Sequence, residues 1–491
     1  VPAFLIALLA GGAAVLSFAP FGLAALAPLS LAVLAWLLGR ARSAGAGFLL
    51  GFGWGLGAFA GGVSWLYVAL HDVGGMAMPL AACAIALFCA YLALYPALVG
   101  AVFVRFRPPG GLARAALFAA LWVVTEWLRG IVFTGFPWLA IGYSQTPPSP
   151  LAGFLPLIGV YGVGGLVALI AAALAFAPWR RGRRALPTAG MALALLAAGA
   201  GLRGWQWTTP VGPPLSVALV QTNIAQGLKW QPEQFVAVLR TNADLVRDTA
   251  AELVVLPEST LPTLADRLPE GYLEVLGGLA RDNGGDLVLG VFRRDGKGRI
   301  YNAAMSLGRS PTQYYAKHHL VPFGEYSPPL FDWFYRLVHI PMSDQTRGAP
   351  DQPPMALGGQ RIALNICYED LFGAELIRSL PQATLMLNLS NLAWYGDSLA
   401  QPQHLQIARV RALETGRPML RSTNTGMTAV VQPDGTVSGV LPEFEQGVLR
   451  AEVRGYSGLT PFARWGDRPA LALAGLVLAI GMVRARRAEP R

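Results

Sequence analysis

The 491 residues are 54% hydrophobic and only 13% charged, with a formal net charge of +10. Soluble domains carry about a quarter charged residues, which argues against a wholly soluble chain. The charge also argues against a nucleic-acid partner, because residues 204–468 hold 23 Lys+Arg against 25 Asp+Glu and the basic excess sits in the apolar flanks.

Crossing a hydrocarbon core of about 30 Å takes about 20 apolar residues in a helix. Runs of this kind are expected at 2–19, 22–39, 45–70, 77–104, 112–133, 152–178 and 186–203, with a shorter eighth at 469–483. The eighth needs Arg468 and Arg484 to snorkel. The first lacks a basic n-region and is followed at once by a second apolar run, so a retained helix is expected rather than a cleaved signal. Arg40, Arg42, Arg105, Arg107, Arg114, Arg180, Arg181, Arg183, Arg184, Arg484, Arg486, Arg487 and Arg491 fall on one side if the N-terminus is cytoplasmic. The turns near 19–21 and 71–76 and the 134–152 loop carry no Lys or Arg. By the positive-inside rule, residues 204–468 lie on the exported side.

Within the spans, Gly51-Phe52-Gly53-Trp54-Gly55-Leu56-Gly57 reads as a helix-packing face, and so does Gly162-Val163-Gly164-Gly165. Glu126 and Arg129 are three apart on one helix face, where charge is expensive. They read as an internal ion pair or as a contact to a lipid head group or substrate. Phe136-Pro137-Trp138 reads as an interfacial anchor.

Past Pro210 short β-branched runs alternate with amphipathic helices. Strands are expected at 216–222, 253–256, 287–292, 300–307, 313–316, 361–366, 383–389, 418–432 and 436–441. Helices are expected at 232–249, 270–282 and 401–414. Arg294-Asp295-Gly296-Lys297-Gly298 and Pro433-Asp434-Gly435 are turn signals. The pattern implies one layered α/β domain.

Three polar residues follow three of these strands: Glu258, Lys317 and Cys367. Strand ends are where catalytic groups gather in α/β sheets. Cys367 is also the only cysteine of the exported part, where a lone thiol is either buried and inert or kept because it reacts. Each residue alone has a plain alternative: a turn cap, a surface charge, a core side chain. Together they suit acyl transfer, with Glu258 taking the thiol proton and Lys317 steadying the thiolate and an oxyanion. Backbone N–H groups after Cys367 offer a second oxyanion donor.

Leu256-Pro257-Glu258, Tyr315-Ala316-Lys317-His318-His319-Leu320-Val321-Pro322-Phe323-Gly324-Glu325 and Cys367-Tyr368-Glu369-Asp370 resemble the nitrilase (carbon–nitrogen hydrolase) superfamily. Within it, an exported domain enclosed by membrane spans resembles the apolipoprotein N-acyltransferase family. Asn223-Ile224 with Lys229-Trp230, the stretch Asn391 to Ser398, and Thr125-Glu126-Trp127-Leu128-Arg129 through Trp138 are similar to that family too. The resemblance implies about eight membrane helices plus an αββα sandwich, divided as 1–208, 209–463 and 464–491. It implies that an acyl chain passes from a phospholipid, usually phosphatidylethanolamine, through a thioester on Cys367. The acceptor it implies is the α-amino group of a lipoprotein's diacylglyceryl-cysteine. It further implies a bacterial inner membrane, a periplasmic catalytic domain and no cofactor; a monomer is the default expectation. Glu258 matches the base, Lys317 the charge stabiliser, Cys367 the nucleophile and Glu325 a supporting glutamate. Trp230, Tyr368 and Glu369 match pocket positions, and Trp394 joins them as a candidate. A membrane-tethered amidohydrolase is the alternative.

Both lipid substrates are membrane-anchored, since moving an acyl chain into water costs about 0.8 kcal/mol per CH₂. The site is therefore expected to open toward the bilayer, with the aromatic 328–335 stretch and Leu392-Ala393-Trp394-Tyr395 as a lid or as ordinary core. His318-His319 lacks metal-ligand spacing. Arg409, Arg411, Arg417 and Arg421 read as pairing within the fold, with lipid phosphate recognition as the alternative.

Overall fold

A computed structural model describes residues 1–179, 186–229, 231–327 and 344–488, with side chains to residue 481. Trp230, the 328–335 stretch and the loop arginines Arg180, Arg181, Arg183 and Arg184 lie outside the described residues, as does Arg491. The chain divides into two compact units, one of residues 1–64, 79–205 and 461–491, the other of residues 65–78 and 206–460.

The first unit is helical. Among the described residues, Ala44–Gly62, Met78–Phe106, Gly111–Arg129 and Pro150–Phe176 are long and apolar enough to cross a membrane. Pro2–Val15, Leu26–Arg40, Leu186–Leu202 and Arg468–Gly481 are apolar but shorter. At 14 residues Pro2–Val15 rises only about 21 Å, less than a hydrocarbon core. The glycines of the third helix serve close packing: a Cβ on Gly51 would lie 2.0 Å from the Pro96 carbonyl oxygen, and one on Gly57 2.0 Å from that of Leu8.

Two expectations for this unit need correction. The third helix stops at Gly62 instead of running to 70, and residues 65–78 belong to the other unit. There the buried Trp65 donates its indole N–H to Gln403 at 3.2 Å and meets the Tyr395 ring edge-on at 4.6 Å. Trp138 is no interfacial anchor, being 2% exposed. Its carbonyl and that of Phe136 accept from Arg129, while Glu126 accepts the Ile141 N–H at 2.8 Å. With Arg129 Nη2 and Glu126 Oε1 3.9 Å apart and both side chains buried, the pair stitches the 136–141 segment to its helix.

Among its described residues the second unit contains twelve strands: β1 (Thr209–Gln221), β2 (Leu253–Val255), β3 (Asp286–Arg294), β4 (Ile300–Gly308), β5 (Tyr314–Ala316), β6 (Met355–Leu357), β7 (Gln360–Ile366), β8 (Leu385–Ser390), β9 (Met419–Thr423), β10 (Ala429–Val431), β11 (Val437–Val440) and β12 (Gly447–Ser457). They form two six-stranded sheets, ordered β12-β1-β2-β3-β4-β5 and β11-β10-β9-β8-β7-β6. The central neighbours β1-β2-β3 and β7-β8-β9 run parallel and the outer ones antiparallel.

Side-chain alternation builds the layers, since successive residues of a strand point to opposite faces. Val217 and Leu219 of β1 join Ile362, Leu364 and Ile366 of β7 in one core cluster between the sheets. Ala218 and Val220 face outward onto Leu239, Val246 and Leu276, carried by helices Phe235–Arg247 and Tyr272–Asp282. On the other sheet Ala363, Met386 and Met419 meet Leu405, Ala408 and Ala412 of helix Ala400–Thr415. The result is an αββα sandwich.

Three strand expectations change. The 418–432 run is a hairpin of β9 and β10, broken where Asn424 turns its side chain to other strand ends. β6 and β12 are additional. β12 lies at a sheet edge and exposes Arg450, Glu452 and Arg454, so its pattern carries little apolar signal. The arginine cluster is internal: Arg411 pairs with Glu414, Arg421 with Asp370 at 3.1 Å, Arg417 donates to the Ala383 carbonyl at 2.7 Å and Arg409 to that of Gly435 at 2.8 Å.

Candidate active site

Strand ends deliver the polar groups. Lys317 follows β5 directly, Cys367 follows β7 directly, and Glu258 lies three residues past β2. All are buried, at 1%, 8% and 6% exposure respectively. Lys317 Nζ lies 2.7 Å from Glu325 Oε1 and 3.4 Å from Glu258 Oε1. The second oxygen of each glutamate accepts a backbone N–H, from Asn391 to Glu258 and from Val321 to Glu325, both at 2.8 Å.

Cys367 adopts a left-handed backbone (φ 54°), which costs a non-glycine residue roughly 1–3 kcal/mol. The turn is held from several sides. Its carbonyl accepts from Asn388 Nδ2 at 3.1 Å, and Glu369 accepts the Ile366 N–H at 2.6 Å. Behind it, Asp370 accepts from His404 Nε2 at 2.7 Å and from Arg421 at 3.1 Å. Arg421 faces His404 Nδ1 at 3.1 Å, which leaves the imidazole proton on Nε2. Burial pushes the His404 pKa down despite Asp370.

Burial and the Glu258 charge push the Cys367 thiol well up, with Lys317 pulling the other way. The free thiol is therefore protonated at neutral pH and needs a base. Burial alone would lower Lys317, but the Glu325 and Glu258 carboxylates hold it well above the ordinary lysine value. Lys317 remains a cation.

The other candidates are placed as follows. Tyr368 is buried, its ring 5.2 Å from Phe372 and 5.8 Å from His319. Trp394 is half-buried in the turn Leu392–Tyr395. The Glu369 carboxylate is occupied by the backbone N–H groups of Ile366, His318 and His319 and by the Tyr315 hydroxyl. Burial nevertheless raises its pKa.

Three further groups surround the site. Asn302, on β4, donates Nδ2 to Glu258 Oε1 at 2.8 Å and to Glu325 Oε1 at 3.1 Å. Its signal in the sequence is an amide at the same strand parity as the core residue Ala304. Lys229, 2% exposed, reaches the Ser259 hydroxyl at 3.1 Å and the Glu258 carbonyl at 3.4 Å. Burial pushes its pKa down to about 7, against the pull of Glu258. Tyr395 packs against the core cluster that includes Cys367.

Comparison with known proteins agrees across the chain. The family described as "Apolipoprotein N-acyltransferase N-terminal domain" matches residues 10–173, and "Carbon-nitrogen hydrolase" matches residues 216–461. An apolipoprotein N-acyltransferase from Nitrosomonas europaea is 47% identical over 97% of this chain and 96% of its own. One from Chromobacterium violaceum is 47% identical over 98% of this chain and 93% of its own. A solved nitrilase-superfamily amidase from Nesterenkonia AN1 is 21% identical, covering 54% of this chain and 98% of that one, with a TM-score of 0.39. The full-length matches at this identity show that the chain belongs to the apolipoprotein N-acyltransferase family.

Proposed function

We propose that Glu258, Lys317 and Cys367 carry an acyl chain from a phospholipid to a lipoprotein N-terminus in two steps. The observation that carries this reading is Cys367 on a left-handed turn, its thiol under the charges of a buried Glu258–Lys317–Glu325 assembly.

In the first step Glu258 takes the thiol proton as Cys367 Sγ attacks the ester carbonyl of the donor lipid. The oxyanion of the tetrahedral intermediate lies against Lys317. Two of the three ammonium N–H groups are directed at Glu325 and Glu258, which leaves one for the oxyanion. Collapse breaks the C–O bond, and Glu258 returns the proton to the leaving lysolipid alkoxide. In the second step the neutral α-amine of a diacylglyceryl-cysteine attacks the thioester carbonyl and passes a proton to Glu258. The C–S bond breaks and the proton goes back to sulfur, giving an amide and free Cys367.

Phosphatidylethanolamine is the proposed donor, and the enzyme works as a monomer without a cofactor. Glu325 supports Lys317, while Tyr368 and Trp394 contact the lipid substrates. Eight helices cross the bacterial inner membrane, seven before residue 209 and one after residue 463, and the catalytic domain lies on the periplasmic side. The basic connections between apolar runs support this orientation.

The test is N-acylation of a diacylglyceryl-cysteine peptide in phosphatidylethanolamine vesicles by single variants. Cys367→Ala, Glu258→Gln and Lys317→Met should each lose about a thousandfold or more. Full turnover by Cys367→Ala would overturn the assignment.

A further inference from the structure

Four polar atoms around the site close into a ring in which donors and acceptors alternate. Asn302 Nδ2 is 2.8 Å from Glu258 Oε1, which is 3.4 Å from Lys317 Nζ. Lys317 Nζ is 2.7 Å from Glu325 Oε1, which is 3.1 Å from Asn302 Nδ2. Two carboxylates share this small buried volume, and the donors set between them offset their mutual repulsion.

Lys317 is drawn to Glu325, its shorter contact, so Glu258 depends more on the other donor. That donor is uncharged. With Glu258 and Glu325 ionised, Lys317 cationic and Cys367 protonated, these four groups carry a net charge of about −1. Moving the thiol proton to Glu258 leaves that sum unchanged. A second cation in place of Asn302 would weaken Glu258 as a base, and an apolar residue would leave its oxygen short of a donor.

The amide is held by its NH₂ end. Among the described residues the buried Asn302 Oδ1 has no hydrogen-bond partner, so the orientation follows from the two carboxylates. The neighbouring backbone is fixed too, as the Asn302 carbonyl accepts the Lys317 N–H at 2.8 Å. One residue thus sets the Lys317 strand by its main chain and both glutamates by its side chain.

We infer that Asn302 is a positioning residue that holds the Glu258 carboxylate oriented as the base for Cys367. The inference rests on the reading of Glu258 given above. The ionisable groups facing Glu258 are Lys317 at the end of β5, Glu325 in the following loop, Cys367 after β7, Lys229 in the turn Gln226–Lys229 and Tyr395 in the turn Leu392–Tyr395. All of them are kept in the variants, so a shifted profile reports the lost amide.

The experiment measures the rate of Cys367 acylation from phosphatidylethanolamine vesicles against pH, for wild type, Asn302→Leu, Asn302→Asp and Glu258→Gln. Loss of the two N–H donors should move the acid limb up by about one pH unit in Asn302→Leu. Asn302→Asp, nearly isosteric, should move it further in the same direction by adding a third carboxyl. The unfolding midpoint of each variant separates this from loss of fold. If Asn302→Leu does not fold, Asn302→Asp carries the test alone. Wild-type acid limbs in the folded Asn302 variants, with Glu258→Gln inactive, would overturn the role of Asn302 only. Acylation by Glu258→Gln at the wild-type rate would instead overturn the base assignment itself.

Discussion

The Glu369 carboxylate, two residues past Cys367, accepts the backbone N–H of His318, one residue past Lys317, at 2.6 Å. One side chain thereby fixes the spacing between the segments that carry Cys367 and Lys317. Its other bonds, to His319, Ile366 and Tyr315, fill the remaining acceptor positions.

Glu369→Ala should therefore act through structure first. Three backbone N–H groups lose their acceptor, two of them buried, and each buried loss costs about 1–3 kcal/mol. The unfolding midpoint should fall markedly, and activity should fall faster than the folded fraction because the Cys367–Lys317 spacing loosens. A wild-type midpoint would show that the brace is dispensable.

Lys229 gives a pH-dependent term in stability. Its pKa is lowered to about 7 in the folded chain, below the unfolded lysine value of about 10.4. Between those values the unfolded state binds more protons, so stability rises with pH; below both the burial penalty is fully present. Lys229→Met should remove this slope and be more stable than wild type, relative to high pH, at pH 6. Parallel stability curves from pH 6 to 10 would contradict the burial argument.

Cys367 should behave as a thiol until substrate arrives. Because burial and Glu258 push its pKa well up, thiolate absorbance should be absent at neutral pH. Lys317→Met removes a neighbouring cation that pulls the pKa down, so alkylation of Cys367 by iodoacetamide should slow by about tenfold or more. Faster alkylation in that variant would reverse the assigned sign.

The Asp370–Arg421 pair behind the turn should be costly to break on one side. Both side chains are at 0% exposure, and removing one partner of such a pair costs about 3–5 kcal/mol. Asp370→Asn should lose most of that, and the double variant Asp370→Asn/Arg421→Met should recover part of it. Additive losses measured by chemical unfolding would show no coupling.

The layered fold is legible because strand alternation separates Val217 and Leu219 from Ala218 and Val220, and the turn signals delimit each run. The polar residues at strand ends are legible for the same reason, as they interrupt apolar periodicity. Asn302 is not, because a single amide inside a strand looks like a weak strand position until its two partners, 44 and 23 residues away, are seen. Trp138 is misread because composition near a membrane predicts an anchor, whereas Arg129 draws the segment inward. The third helix is misread at its end because Trp65 is apolar enough to extend a span and yet packs on Tyr395. Tertiary partners decide all three.

Intact-protein mass spectrometry tests the central claim most directly. Exposed to phosphatidylethanolamine alone, the wild-type chain should gain one acyl group, mapped to Cys367 and cleaved by hydroxylamine. Adding a diacylglyceryl-cysteine peptide should return the enzyme to its original mass and leave the peptide one amide-linked acyl chain heavier. An acyl group on another residue, or peptide acylation by a Cys367→Ala chain, would contradict the thioester route.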